Sequence, residues 1–168
     1  MMMNERLDPD DYAKEISCLL RRRGRTLALA ESCTGGLMAS LFTSYPGSSD
    51  FFKLSAVTYA NDAKQRILGV RSETLVREGA VSEAVAAEMA AGARGAGVAD
   101  LGLATTGIAG PGGGSSEKPV GMVCIGLADH NRTLSWTFVR NEGERRSNQR
   151  VFAALALKQL YHYLLEEN

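Results

Sequence analysis

At 168 residues, with 45% hydrophobic and 23% charged side chains, the chain has enough apolar surface for one globular core and too much for a disordered state. Nineteen basic residues balance nineteen acidic ones, so no overall field recruits a polyanion, and neither a nucleic-acid nor a membrane partner is expected. Cys18, Cys33 and Cys124 are widely spaced and only His130 and His162 accompany them, which offers neither a disulfide framework nor a metal-ligand cluster. The polar start, MMMNERLDPDDY, and the absence of any apolar run of membrane-spanning length point to a cytoplasmic protein.

Asp8-Pro9-Asp10-Asp11 supplies a cap and first-turn acids for a helix over about 8–24, on which Tyr12, Ile16, Leu19 and Leu20 recur at helical spacing. Arg21, Arg22, Arg23 and Arg25 offset the negative end of its dipole. Residues 26–30 are short and apolar and run through Glu31-Ser32-Cys33-Thr34-Gly35-Gly36 into a helical pattern over 37–44, which reads as strand, tight glycine turn, helix. Turn chemistry at 45–49 precedes a second strand over 54–60, and Asn61-Asp62 caps a short helix to Leu68. Ser82 and Glu83 open an Ala-rich helix that fades at Gly95 and Gly97, and a strand follows over 101–106. Residues 120–128 and 134–139 read as two strands joined by the turn at 129–132, and 144–165 as a closing helix. This order predicts a single α/β domain over 1–168, a three-layer α/β/α sandwich whose mixed, mainly parallel sheet ends in an antiparallel C-terminal hairpin.

Three strand-to-turn junctions could gather a ligand, because exposed backbone N–H groups and helix N-termini favour anions there. The first places Ser32 on a strand-to-helix turn, where nucleophilic serines of unrelated hydrolases sit; the segment is not a Gly-x-Ser-x-Gly elbow, and it reads equally as helix capping by Ser32 and Thr34. The second carries Tyr59 off a strand and Lys64 onto the first turns of a helix, as a base or as a solvated lysine. The third, GIAGPGGGSSEKPVG, concentrates six glycines and two prolines; it could wrap amides around a phosphate or form a flexible lid. It has neither the P-loop spacing nor a Rossmann fingerprint, which disfavours an ATPase or a dehydrogenase. Neither histidine stands where a Ser-His-Asp triad needs one, so a serine here requires another base. Lysine can serve if an enclosed pocket lowers its pKa enough for the neutral amine to form.

Taken in order, ALAESCTGG, PGSS, VTYANDAK, GAVSEAVAAEMAAGAR and TTGIAGPGGGSSEKPVG resemble the successive signatures of the CinA C-terminal-domain family over roughly 27–160. The resemblance implies a stand-alone nicotinamide-nucleotide amidase, a homodimer that hydrolyses nicotinamide mononucleotide to nicotinate mononucleotide and ammonia in pyridine-nucleotide salvage, with no cofactor and no metal. It implies no molybdopterin-binding-like domain of the kind fused relatives carry. The family's serine falls on Ser32, its tyrosine on Tyr59 and its lysine on Lys64, a nucleophile with its activating partners; in the alternative, Lys64 activates water and Ser32 only orients the amide. The resemblance also suggests substrate-binding groups. Gly107, Gly110, Gly112, Gly113, Lys118 and Arg145 would hold the phosphate. Arg145 matches the family's Gly-Asp-Arg element only through Gly143-Glu144-Arg145, with Glu where the family has Asp. Oxyanion donors would come from backbone N–H groups around Cys33 to Gly36, Thr34 and Gly35 among them, or from the Thr106 hydroxyl. Glu31 is either a counter-charge for the pyridinium ring or a structural acceptor for the glycine turn, and Tyr59 either shuttles a proton or stacks on the ring. Two rival functions stand beside this one: a non-catalytic nucleotide-binding or competence/damage-associated module, and an amidohydrolase of another small amide.

Overall fold

The computed structural model describes residues 8–166; residues 1–7, part of the polar start, and residues 167–168 lie outside the described residues. Helix α1 (Pro9–Arg23) begins where Asp8 accepts the Asp10 amide and ends at Gly24, whose left-handed backbone closes the last turn. Strand β1 (Leu27–Glu31), helix α2 (Leu37–Thr43), a 3₁₀ turn (Ser48–Asp50) and strand β2 (Phe52–Val57) follow, then helices α3 (Asn61–Leu68), α4 (Ser72–Glu78) and α5 (Glu83–Ala96). Strands β3 (Leu101–Gly107), β4 (Met122–Ala128) and β5 (Thr133–Val139) lead to the closing helix α6 (Arg145–Glu166).

The sheet order is β2-β1-β3-β4-β5. Strands β2, β1 and β3 are parallel, while β4 is antiparallel to both β3 and β5, so β4 alone runs against the rest. The α/β sandwich, its mainly parallel sheet and its terminal hairpin are as expected. Three details differ from the sequence reading. Asn61 is the first residue of α3 rather than its cap, and no side chain caps that helix, whose cap position is Ala60. The second strand leaves the sheet after Val57, so residues 58–60 form a junction rather than its end. Helix α4 was not anticipated, because its seven residues place only Thr74 and Leu75 in the core and carry no readable period.

Alternation along the strands divides the core into two layers. Leu27 and Leu29 of β1, with Leu101, Leu103, Val123, Ile125 and Leu127, pack under α1, α2 and α6. Ala28, Ala30, Ala104 and Ala128 face the other way, toward α5, against which α3 and α4 pack. This second face is built from small residues because α5 lies directly on the strand backbones. A Cβ on Gly102 would stand 2.0 Å from the Ala90 carbonyl oxygen, and one on Gly126 2.1 Å from that of Ala86. The outer side of α5 is as close to α3: a Cβ on Gly92 would stand 1.9 Å from the Leu68 oxygen. Helix α5 is therefore seated between the sheet and α3 by backbone contact. No helix among the described residues is long and apolar enough to cross a membrane.

The contacts at these glycines are with main-chain atoms that cannot rotate away, so overpacking acts at full strength. Gly126→Ala is expected to lower unfolding free energy by about 2–3 kcal/mol in urea denaturation; a loss below about 0.5 kcal/mol would show that α5 can lift from the sheet without strain.

Candidate active site

The end of β1 and the parity of its side chains place the two candidate residues that follow each other there. Continuing the alternation, Glu31 points to the α2 layer and Ser32 to the α3 layer. The fully buried Glu31 carboxylate accepts from the amides of Gly36, Met38 and Ala39 at 2.9–3.1 Å. It also accepts the hydroxyls of Thr34 at 2.7 Å and Ser55 at 3.3 Å. Those amides open α2, whose Gly36 cap has no side chain to offer, so Glu31 caps the helix from the neighbouring strand.

On the opposite face, Ser32 is 9% exposed and continues the ladder by giving its amide to the Thr105 oxygen at 3.0 Å. Lys64 sits one turn into α3, and its side chain runs back toward the helix N-terminus. Its Nζ lies 2.7 Å from the Thr58 oxygen, 3.2 Å from the Tyr59 oxygen and 3.2 Å from Ser32 Oγ. The residue is 1% exposed. Burial pushes the Lys64 amine below its ordinary 10.5, and a position at the positive end of α3 acts in the same sense. No carboxylate among the described residues offsets this, and the Cys33 thiol beside it is pushed up by burial to about 12 and stays neutral. A neutral amine has two N–H bonds and one lone pair. Two carbonyls take the N–H groups, and the lone pair is left for the hydroxyl of Ser32.

Ser32 and Lys64 lie at one side of a cavity of about 260 Å³, at the carboxyl ends of β1 and β3. Tyr59, Thr106, Gly107, Gly110, Gly112, Gly113 and Arg145, all anticipated, line it. The Tyr59 phenol is 62% exposed at the rim and accepts from Arg145 Nη2 at 2.9 Å, while Arg145 Nη1 donates to the Gly110 oxygen at 2.7 Å. Ser32 and Lys64 meet directly, so no phenol stands between them as a relay. The Thr106 hydroxyl is given to the Ala80 oxygen at 2.8 Å, which removes it as a free oxyanion donor.

The other expected residues stand elsewhere. Glu31 is turned to α2, and of its two readings the structural acceptor is the one its contacts match. Thr34, Gly35 and Gly36 border a separate depression with Arg146, Gln149 and Arg150. Lys118 does not line the cavity, because its Nζ is held 2.5 Å from the Glu78 oxygen at the end of α4. Sequence reasoning missed Asn61, Ala80 and Val81 in the lining. Ala80 and Val81 belong to the turn before α5 and carry no chemistry that would single them out. His130 stands apart at the β4–β5 turn, 3.0 Å from Arg94 Nη1. Among the described residues no group of three or more His, Cys, Asp or Glu could hold a metal ion. Glu31→Ala would leave the opening amides of α2 without an acceptor, and a stability loss of about 3 kcal/mol or more is expected by chemical denaturation; a loss below about 1 kcal/mol would show that another group can cap α2.

A protein-family model described as the CinA C-terminal domain matches residues 9–164. A CinA-like protein of Desulforapulum autotrophicum is 53% identical over 154 residues, which are 90% of this chain and 36% of the relative. A CinA-like protein of Geobacter sulfurreducens is 51% identical over 150 residues, 89% of this chain and 36% of the relative. The chain thus spans about a third of the length of these curated relatives. Among solved structures, the competence/damage inducible protein CihA from Agrobacterium tumefaciens superposes with a TM-score of 0.89 at 38% identity, covering 98% of this chain and 99% of that one. The competence damage-inducible protein A from Klebsiella pneumoniae gives 0.91 at 31% identity, covering 96% and 99%. A family match across nearly the whole described chain, joined to full-length structural agreement, establishes that the chain belongs to the CinA C-terminal domain family.

Proposed function

We propose that this domain is an amidohydrolase that converts nicotinamide mononucleotide and water to nicotinate mononucleotide and ammonia, with Ser32 as nucleophile and Lys64 as its base. The observation that carries this reading is the contact of 3.2 Å between Ser32 Oγ and a buried lysine amine that has no carboxylate partner among the described residues. Such a lysine is poised to exchange a proton with the one hydroxyl in its reach.

Ser32 Oγ attacks the carboxamide carbon while its proton passes to Lys64 Nζ. The C–N bond then breaks, and Lys64 returns the proton to the departing nitrogen, which leaves as ammonia. Water attacks the resulting Ser32 ester, giving one proton to Lys64; the ester bond breaks, Lys64 returns that proton to Ser32, and the carboxylic acid product leaves, losing water's second proton to solvent as it becomes the carboxylate. The two main-chain oxygens hold Nζ in place through both half-cycles. The alternative route, water activated directly by Lys64, needs the amine to reach past Ser32, which lies in contact with it.

Recognition of a nucleotide monophosphate draws support from Arg145. It projects at the cavity mouth and its bonds are to a phenol and a peptide oxygen, both uncharged, so an anion would meet no competing carboxylate on those bonds. The glycines of the adjoining loop expose main chain on the same rim.

Two measurements test the reading. Ammonia release from nicotinamide mononucleotide is expected to fall about 10³-fold or more in kcat for both Ser32→Ala and Lys64→Met with the fold retained. Ligand binding without turnover in the parent protein would sink the proposal and favour a nucleotide-binding module. The second is the pH profile. Activity requires the neutral amine, so kcat/KM should rise with pH through one ionisation whose midpoint lies below 10.5. The unfolded chain holds this proton more tightly, so stability should also rise with pH between that midpoint and 10.5, while below the window the burial cost is felt in full. A flat or falling profile on this limb would exclude Lys64 as the base.

A further inference from the structure

Resting on the amidase reading above, we infer that Gln149 is a positioning residue that aims the main-chain amide of Thr34 at the oxyanion formed on Ser32. Gln149 lies in the second turn of α6, and its Nε2 donates to the Cys33 oxygen at 3.0 Å. That oxygen belongs to the peptide one residue beyond the nucleophile. The Cys33–Thr34 peptide is trans, Gly110–Pro111 being the one cis bond among the described residues. In a planar trans peptide the C=O and N–H point in opposite directions. The carbonyl is drawn toward α6, in the layer that Glu31 faces, so the Thr34 N–H is turned toward the layer of Ser32 and Lys64.

The hydrogen-bond inventory of the turn supports this direction. Ser32 gives its amide to Thr105, Gly35 to the Ser32 oxygen, Gly36 to Glu31 and Leu37 to the Thr34 oxygen, while the Cys33 amide meets no acceptor among the described residues beyond its own thiol. Thr34 is 3% exposed, yet its amide reaches no acceptor among the described residues. Buried amides are almost always paired, and one left open beside a nucleophile is the kind of donor that stabilises a tetrahedral oxyanion. The Gly35 bond to Ser32 makes residues 32–35 a β-turn whose central peptide is this one. Gln149 fixes it from outside the cavity, which its side chain does not line.

The test compares the parent with Gln149→Leu, which removes the donor at similar size, and Gln149→Glu, whose carboxylate repels the Cys33 carbonyl. Two readouts are used: steady-state ammonia release from nicotinamide mononucleotide, and labelling of Ser32 by a fluorophosphonate followed by intact mass. In labelling, the Oγ–P bond forms, fluoride leaves and the hydroxyl proton passes to Lys64, so an anionic oxygen develops without any amide substrate. Complete loss of one donor costs about 10²–10³-fold, and misaiming it a part of that. Gln149→Leu should therefore lower kcat and the labelling rate by about tenfold or more with KM within about twofold and Tm unchanged, and Gln149→Glu should be at least as impaired. Rates within about twofold of the parent, an effect on KM alone, or losses that track a fall in Tm would each overturn the inference. Parent protein that is labelled but releases no ammonia defeats the amidase reading, and the labelling ratio then decides on Gln149. Parent protein that does neither overturns both.

Discussion

The burial of one carboxylate organises the site. Glu31 is fully buried, and its oxygens are satisfied only when β1 is in the sheet, α2 has formed its first turn and Ser55 of β2 stands alongside. A buried carboxylate with part of this set would be strongly disfavoured, so the elements that complete it are coupled. The parity of a strand does the rest. Once Glu31 is fixed toward α2, Ser32 has no choice but the opposite layer, where α3 supplies Lys64. The direction of Ser32 is thus determined by a neighbour that does not line the cavity.

Lys64 is held in a complementary way. A lysine paired with a carboxylate would be locked as an ammonium; here the fixed partners are two peptide oxygens, which accept from the charged and the neutral form alike. The amine can lose and regain a proton without changing its place, and the hydroxyl is the only partner whose role reverses. Burial then sets the protonation balance while main-chain geometry sets the position, and the two can be altered separately.

Much of this fold lies in local patterns that a sequence exposes: the capped α1, the glycine turn after β1, the alternating strands and the long α6. The three chemistry-bearing residues also stand in short motifs, which is why Ser32, Tyr59 and Lys64 could be named at all. Other features depend on relations that motifs do not carry. Thr34, Gly35 and Gly36 share a motif with Ser32, yet the surface they expose borders another depression, since the side of a turn that opens to a cavity is settled by packing. Lys118 is drawn to the end of α4, a helix too short to announce itself. Gln149 reaches the turn from 116 positions away, and nothing in its local sequence distinguishes it from a solvated glutamine on a helix.

The backbone seat of α5 gives the two layers different tolerance to change. Under α1, α2 and α6 the core is built from Leu, Ile, Val and Phe, whose substitutions can be absorbed by repacking of flexible neighbours. Under α5 the spacing is set by bare main chain at Gly102 and Gly126, and on its far side by Gly92 against Leu68, the last residue of the helix that bears Lys64. A methyl group added anywhere in that stack would translate rigid helices, and the translation ends at the amine beside Ser32. Sequence drift should be free in one layer and nearly frozen in the other, so that a family sharing this fold can vary its larger core while preserving an alanine–glycine layer remote from the cavity.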